Sequence, residues 1–222
     1  ADWSAVPAGL QASPGSIDVR YARSVPPQLA QAGDMTLTGW KGEKLSAQLV
    51  LWTAGDASEV VCQVGDFASE VATLPSSIAK TRFVRYVITD GPGERGSCGY
   101  RKPGDFPAWL SADMLDDLAA MDIPAKTVRP VWITVEIPRD AVAGNYNATI
   151  TVSAKKQKKQ KFDISLEIID RELPPPSQWP YHIDLWQHPS AIARTANLEM
   201  WSSEHFAAMK PVMEMIAGTG QK

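Results

Sequence analysis

Three stretches of the chain place an apolar residue at every second position. In FDISLEI (162–168), Phe162, Ile164, Leu166 and Ile168 alternate with Asp163, Ser165 and Glu167. In YNATITV (146–152), Tyr146, Ala148, Ile150 and Val152 alternate with Asn147, Thr149 and Thr151, and VWITVEI (131–137) sets Val131, Ile133, Val135 and Ile137 on one face. A period of two with one apolar face predicts strands that are half buried. LSAQLVLW (45–52) and FVRYVIT (83–89) are as rich in strand-forming residues but alternate less cleanly, which predicts strands covered on both sides. The connection IPRDAVAGNY (137–146) carries turn chemistry in Pro138, Asp140 and Gly144, and the basic run KKQKKQK (155–161) between two strand-like segments reads as a solvated hairpin tip. One segment reads as a helix: SADMLDDLAAM (111–121), with Ser111 as N-cap and Pro124 closing it.

These elements predict a mainly β domain over residues 1–172, an immunoglobulin-like antiparallel β-sandwich with one helical insertion. Tyr146, opening its strand after a turn, occupies a position resembling the tyrosine corner of such sandwiches. The periodicity changes after Pro174, Pro175 and Pro176. Residues 173–180 read as a proline-rich, extended linker. YHIDLW (181–186) then reads as a short strand, followed by a loop through Pro189 and a helix from near Ser202, on which Phe206, Met209, Met213 and Ile216 recur at helical spacing. Gly218 and Gly220 end it. Residues 181–222 are therefore expected to form a single β/α unit, which cannot bury both of its faces alone.

Composition narrows the function classes. With 22 basic and 25 acidic residues the formal net charge is −3, so no basic excess argues for nucleic acid or an anionic membrane surface. No apolar run reaches the roughly 18 residues needed to span a bilayer, and no membrane span is expected. The chain starts at Ala1 without an initiator Met or a signal-type apolar core, which suits a mature secreted protein and equally a trimmed one. Cys62 and Cys98 are too far apart for a CxxC site and too few for a structural zinc; one disulfide or two buried thiols both fit.

GPGERG (91–96) matches a dinucleotide fingerprint and follows a strand-like segment, but Pro103 and Pro107 leave no helix N-terminus after it to hold a pyrophosphate. It reads as a glycine-rich surface loop. Asp113, Asp116 and Asp117 lack the alternate spacing of a calcium loop and read as a solvated acidic helix face. The richest constellation is His182, Asp184, Trp186, Gln187, His188 and Arg194. Alternation puts His182, Asp184 and Trp186 on one side of the strand, opposite Tyr181, Ile183 and Leu185. Trp beside polar groups suits a sugar, with an apolar face for the ring and hydrogen bonds for its hydroxyls. The same residues also fit a core Trp186 beside a His182–Asp184 pair, and the residues alone leave both readings open. No metal site is expected, because neither His188 nor His205 is spaced to supply a third ligand, and no cofactor is implied.

WITVEIPRDAVAGNYNATITV, LEIIDRELPPPSQWPYHIDLWQHPSAIAR and WSSEHFAAMKPVMEMIAGTGQK together resemble the module junction of glycoside hydrolase family 123 and allied bacterial secreted proteins. The resemblance covers most of the chain and is most specific from Trp132 to Lys222. It implies an N-terminal accessory β-sandwich followed by a TIM-like barrel that removes N-acetylgalactosamine from glycans. In that chemistry the sugar's acetamido oxygen attacks the anomeric carbon, assisted by an Asp–Glu pair, an exception to the two-carboxylate scheme. The pair belongs to a later barrel strand that nothing in this chain matches, so no catalytic residue is expected in it, and the barrel reads as truncated after its first β/α unit. HIDLWQHP corresponds to the first barrel strand and its loop, making His182, Asp184, Trp186, Gln187 and Arg194 candidate substrate contacts in the full-length protein. The implied partner is a glycan and the implied location secreted, periplasmic or cell-surface, with a Cys62–Cys98 bridge as a candidate. The alternative is a carbohydrate-binding or adhesive sandwich with its own ligand, which exposed aromatic residues in a groove of the sandwich would favour.

Overall fold

A computed structural model describes residues 1–29, 33–89 and 109–220, which fall into two compact units, Ala1–Glu172 and Leu173–Lys222. In the first unit the described strands are β1 (Leu10–Gly15), β2 (Met35–Lys41), β3 (Lys44–Thr53), β4 (Ala57–Val64), β5 (Phe67–Ala68), β6 (Thr73–Leu74), β7 (Ala79–Thr89), β8 (Trp109–Asp116), β9 (Met121–Ile123), β10 (Thr127–Glu136), β11 (Gly144–Ser153) and β12 (Gln160–Glu172). They build a five-stranded sheet in the order β1-β3-β10-β7-β8 and a second sheet in the order β2-β12-β11-β4-β9, with β5 and β6 added beside β11. The architecture is the expected mainly β sandwich. One pair departs from the antiparallel expectation: β2 runs parallel to β12 along Met35–Trp40.

The alternating segments supply the core. Val131, Ile133 and Val135 of β10 face Tyr146, Ile150 and Val152 of β11 and Ile164, Leu166 and Ile168 of β12, all at 2% exposure or less. Burying each such side chain is worth about 1.5–3 kcal/mol, which fixes the register because a one-residue slip would turn the whole set to solvent. Pro14 lies on the edge strand β1, where its missing N–H breaks no second ladder.

β3 is covered on both faces, as its blurred alternation predicts. Leu49 and Leu51 enter the inter-sheet core, while Val50 and Trp52 join Trp3 and Val128 in a second cluster packed by Tyr21 and Leu29 of the N-terminal segment. β7 is covered this way only at Phe83 and Val84; beyond them its residues are half-buried or exposed. The turn before β11 closes as the sequence implies: Tyr146 is fully buried and its hydroxyl donates to the Val142 carbonyl oxygen at 2.7 Å. The 155–161 run caps the β11–β12 hairpin, and Gln157 Oε1 accepts from the Leu10 amide at 2.7 Å.

The expected helical insertion is not formed. Residues 109–116 are strand β8, antiparallel to β7 with a bulge opposite Arg85 and Tyr86, and residues 121–123 are strand β9. Helix-forming side chains are overruled here by the open edge of β7 and by charge. Arg85 pairs with Asp116, and Lys80 and Arg82 both reach Asp117, at 2.8 and 2.7 Å. Of the aspartates read as a helix face, Asp116 and Asp117 are thus the acidic side of a cross-strand charge ladder, while Asp113 reaches Arg20 at 3.9 Å.

The second unit opens with a turn at Pro176–Gln178 and holds α1 (Pro189–Ala196) and α2 (Ser203–Ala217). α2 is the predicted helix, with Ser202 as N-cap accepting from the His205 amide at 3.2 Å. Its apolar stripe is left largely uncovered within the unit, with Phe206 and Met213 more than half exposed. α1 falls where a loop was expected, with Pro189 in its first turn and Asn197 ending it in the left-handed conformation at φ 51°.

Candidate functional site

The predicted strand over residues 181–186 is absent; only Ile183 makes a bridge. A strand exists through its ladder, and apolar alternation cannot supply the partner. The segment is held from its sides instead. Trp179 stacks on Tyr181 at 5.3 Å between centroids, and its indole N–H donates to the Pro174 carbonyl at 2.8 Å. Gly220, at φ 99°, lies so close that a Cβ there would come within 2.7 Å of the Trp179 ring.

His182, Asp184, Trp186, Gln187 and His188 follow one another along this segment and all are exposed, Trp186 to 90%. The core reading of Trp186 therefore does not describe this chain. Nor is a His182–Asp184 pair made: neither side chain has a hydrogen-bond or ion-pair partner among the described residues. Gln187 Nε2 donates to the Leu185 carbonyl at 3.1 Å. Arg194 is exposed in the last turn of α1, where a cation complements the helix dipole.

His205 is a structural node. It is fully buried; its Nδ1 accepts from the Trp201 amide at 2.9 Å, so Nε2 carries the proton and donates to the Pro189 carbonyl at 2.9 Å. Both ring nitrogens are thereby spent on tying the start of α2 to the start of α1. Among the described residues no three His, Cys, Asp or Glu side chains converge as metal ligands. No helix among them is long and apolar enough to cross a membrane.

Cys62, in β4, is buried and unbridged to any described residue; burial pushes its thiol up to about 12. Its candidate partner Cys98 and the 91–96 glycine motif lie outside the described residues.

Two cavities of the sandwich escaped sequence reading. One of about 760 Å³ is lined by Arg20, Tyr21, Thr89, Trp109, Ser111 and Asp113, with Trp109 57% exposed on its wall. A second, of about 420 Å³, shares Leu110 with it and is lined by Arg23, Arg85, Tyr86, Asp122 and Arg129. Arg129 Nη1 donates to the Val84 carbonyl at 2.9 Å and its guanidinium lies over the Tyr86 ring, 5.2 Å from the centroid. Burial, reinforced by Arg23 and Arg85 nearby, holds the Arg129 guanidinium below its ordinary pKa, and burial raises the Tyr86 phenol to about 12. The arginines come from three segments far apart in sequence, so no motif announces them.

Comparison with known proteins places these features in a family. The family model described as the glycoside hydrolase 123 N-terminal domain matches residues 14–154, and that described as the glycoside hydrolase 123 catalytic domain matches residues 186–222. A family 123 glycoside hydrolase from Clostridium perfringens, described in work on glycolipid glycan hydrolysis, superimposes with a TM-score of 0.81 at 24% identity, over 96% of this chain and 36% of that one. The chain thus spans about a third of the length of that relative. The PapD-like domain 7 of human CEP192 aligns at a TM-score of 0.31 and 17% identity, over 63% of this chain and 82% of that one. The periplasmic chaperone SfaE aligns at 0.33 and 12%, over 68% and 61%. No protein of curated function matches. With the N-terminal domain model matching more than half of its length, the chain belongs to glycoside hydrolase family 123.

Proposed function

We propose that residues 1–222 are the accessory β-sandwich and the opening of the catalytic domain of an exported glycoside hydrolase that acts on N-acetylgalactosamine-containing glycans. The observation that carries this reading is the consecutive match of the family's N-terminal and catalytic domain models along one chain. The likeness to a protein studied for glycolipid glycan hydrolysis supports a glycan as substrate. In this reading the sandwich is a scaffold, and His182, Asp184, Trp186, Gln187 and Arg194 are positioning contacts for the sugar in the full-length enzyme. Their exposure, including the open indole of Trp186, and the unpartnered polar atoms of His182 and Asp184 suit that role. The acid that substrate-assisted cleavage requires has no candidate among them, because the family's Asp–Glu pair has no match in this chain. Purified 1–222 is expected to release no phenol from an aryl N-acetyl-β-galactosaminide; saturable release would overturn the assignment of catalysis to other residues.

A second reading, a sandwich with a glycan ligand of its own, is favoured by one observation: Trp109 stands open on the wall of a 760 Å³ cavity among hydroxyl and charged groups. The two readings are compatible, since an accessory domain that holds glycan keeps substrate near the barrel.

A further inference from the structure

We infer that the cavity lined by Arg23, Arg85 and Arg129 is an oxyanion subsite, built to take the carboxylate or sulfate of an acidic saccharide. Three arginines line about 420 Å³ against two carboxylates, Asp122 in the lining and Asp116 paired with Arg85, which leaves an excess of positive charge. The Asp116 carboxylate is taken by Arg85 Nε, and Asp122, which lines the same cavity, accepts the Glu59 amide at 2.8 Å through Oδ1. Among the described residues no carboxylate lies within ion-pair distance of Arg23 or Arg129. Arg23 is held in place by its backbone, whose carbonyl accepts from the Val128 amide at 2.8 Å.

Arg129 is the sharper sign. Its Nε is buried and has no hydrogen-bond partner, the sole such side-chain atom among the described residues. A desolvated, underpaired guanidinium beside two further cations is costly, and an oxyanion in the cavity offsets that cost by its opposite charge. Guanidinium forks match the geometry of carboxylate and sulfate. The saccharide half of the inference rests on the glycan reading above and on Leu110, which this cavity shares with the Trp109 cavity. A sugar bound at Trp109 would lie in the cavity adjoining the arginines. The oxyanion half stands on the arginines alone.

The test is titration calorimetry of 1–222 with four probes: N-acetylneuraminic acid, N-acetylgalactosamine 6-sulfate, neutral N-acetylgalactosamine and inorganic sulfate. At least one acidic sugar should bind about tenfold or more tightly than the neutral sugar. Arg129→Gln and Arg23→Gln should each remove that advantage, and the Arg23 variant, altered at an exposed side chain, should melt as the parent does. Added salt should weaken the acidic sugar selectively. Equal binding of acidic and neutral sugars, binding by none of the probes, or unchanged binding in both variants would overturn the inference. Inorganic sulfate binding as tightly as either acidic sugar would refute the saccharide half while supporting the oxyanion half; the glycan-holding role of the sandwich is read separately, from whether neutral N-acetylgalactosamine binds.

Discussion

Replacing Tyr146 by Phe removes one oxygen from the middle of the sandwich and little else. The residue is fully buried, and its hydroxyl donates to the Val142 carbonyl at 2.7 Å across the turn that leads into β11. A neutral hydrogen bond contributes about 0.5–1.5 kcal/mol net, and a buried acceptor left unsatisfied costs about 1–3 kcal/mol. Val142 belongs to an exposed turn and is itself 51% exposed, so its carbonyl can turn toward water and the lower part of that range applies. The expected loss is about 1–2 kcal/mol, or about 2–8 °C in melting temperature for a unit of this size. Tyr146→Ala also removes the ring and should cost about 3–5 kcal/mol, the usual range for emptying an aromatic core position. Urea unfolding followed by tryptophan fluorescence reports on the sandwich, because Trp3 and Trp52 are buried there while Trp186 is already exposed. The Phe variant should shift the midpoint at constant m-value. A midpoint indistinguishable from the parent would show that the corner hydrogen bond adds nothing net. A loss equal to that of the Ala variant would show that the ring's packing is not what holds the turn.

Further outcomes follow from the cysteines and the exposed segment. If the protein is exported, a Cys62–Cys98 bridge worth roughly 4 kcal/mol of chain entropy should leave no titratable thiol in the unfolded, unreduced protein; two thiols would refute the bridge. In the reduced protein the Cys62 thiol, about 12 when folded against 9.0 as an isolated group, is protonated in both states well below pH 9. Only the unfolded thiol ionises between pH 9 and 12, so stability should be flat below that window and fall across it, by up to about 4 kcal/mol. In the full-length enzyme, Asp184→Asn should lower kcat/KM by about tenfold, the worth of a charged hydrogen bond to a substrate hydroxyl, with little change in melting temperature. Unchanged kinetics with a large loss of stability would make the segment structural.

Much of the sandwich was legible because its signal is local. Where one face meets the core and the other meets solvent, as along Val131–Ile137, Tyr146–Val152 and Ile164–Ile168, the period of two is written directly in the residues. The tyrosine corner was readable for the same reason, since its partner lies four residues away. Misreadings arose where partners are distant. Ser111–Met121 has helix-forming composition, yet the edge of β7 and the basic side chains of Lys80, Arg82 and Arg85 draw it into strands. Tyr181–Trp186 has strand composition, yet without a ladder it makes only the Ile183 bridge. α1 carried a usable signal in Pro189 and Asn197 at the two ends of its span. The arginine cavity carried none, because Arg23, Arg85 and Arg129 are brought together only by the pairing of strands and the packing of the N-terminal segment.

The most direct test of the account is the release of N-acetylgalactosamine from a glycolipid glycan by a polypeptide in which this chain is continued by a complete family 123 catalytic domain, assayed beside 1–222. The account predicts saturable, β-specific release by the longer polypeptide and none by 1–222. Release by 1–222 alone, or a longer polypeptide that folds yet frees no N-acetylgalactosamine, would contradict it.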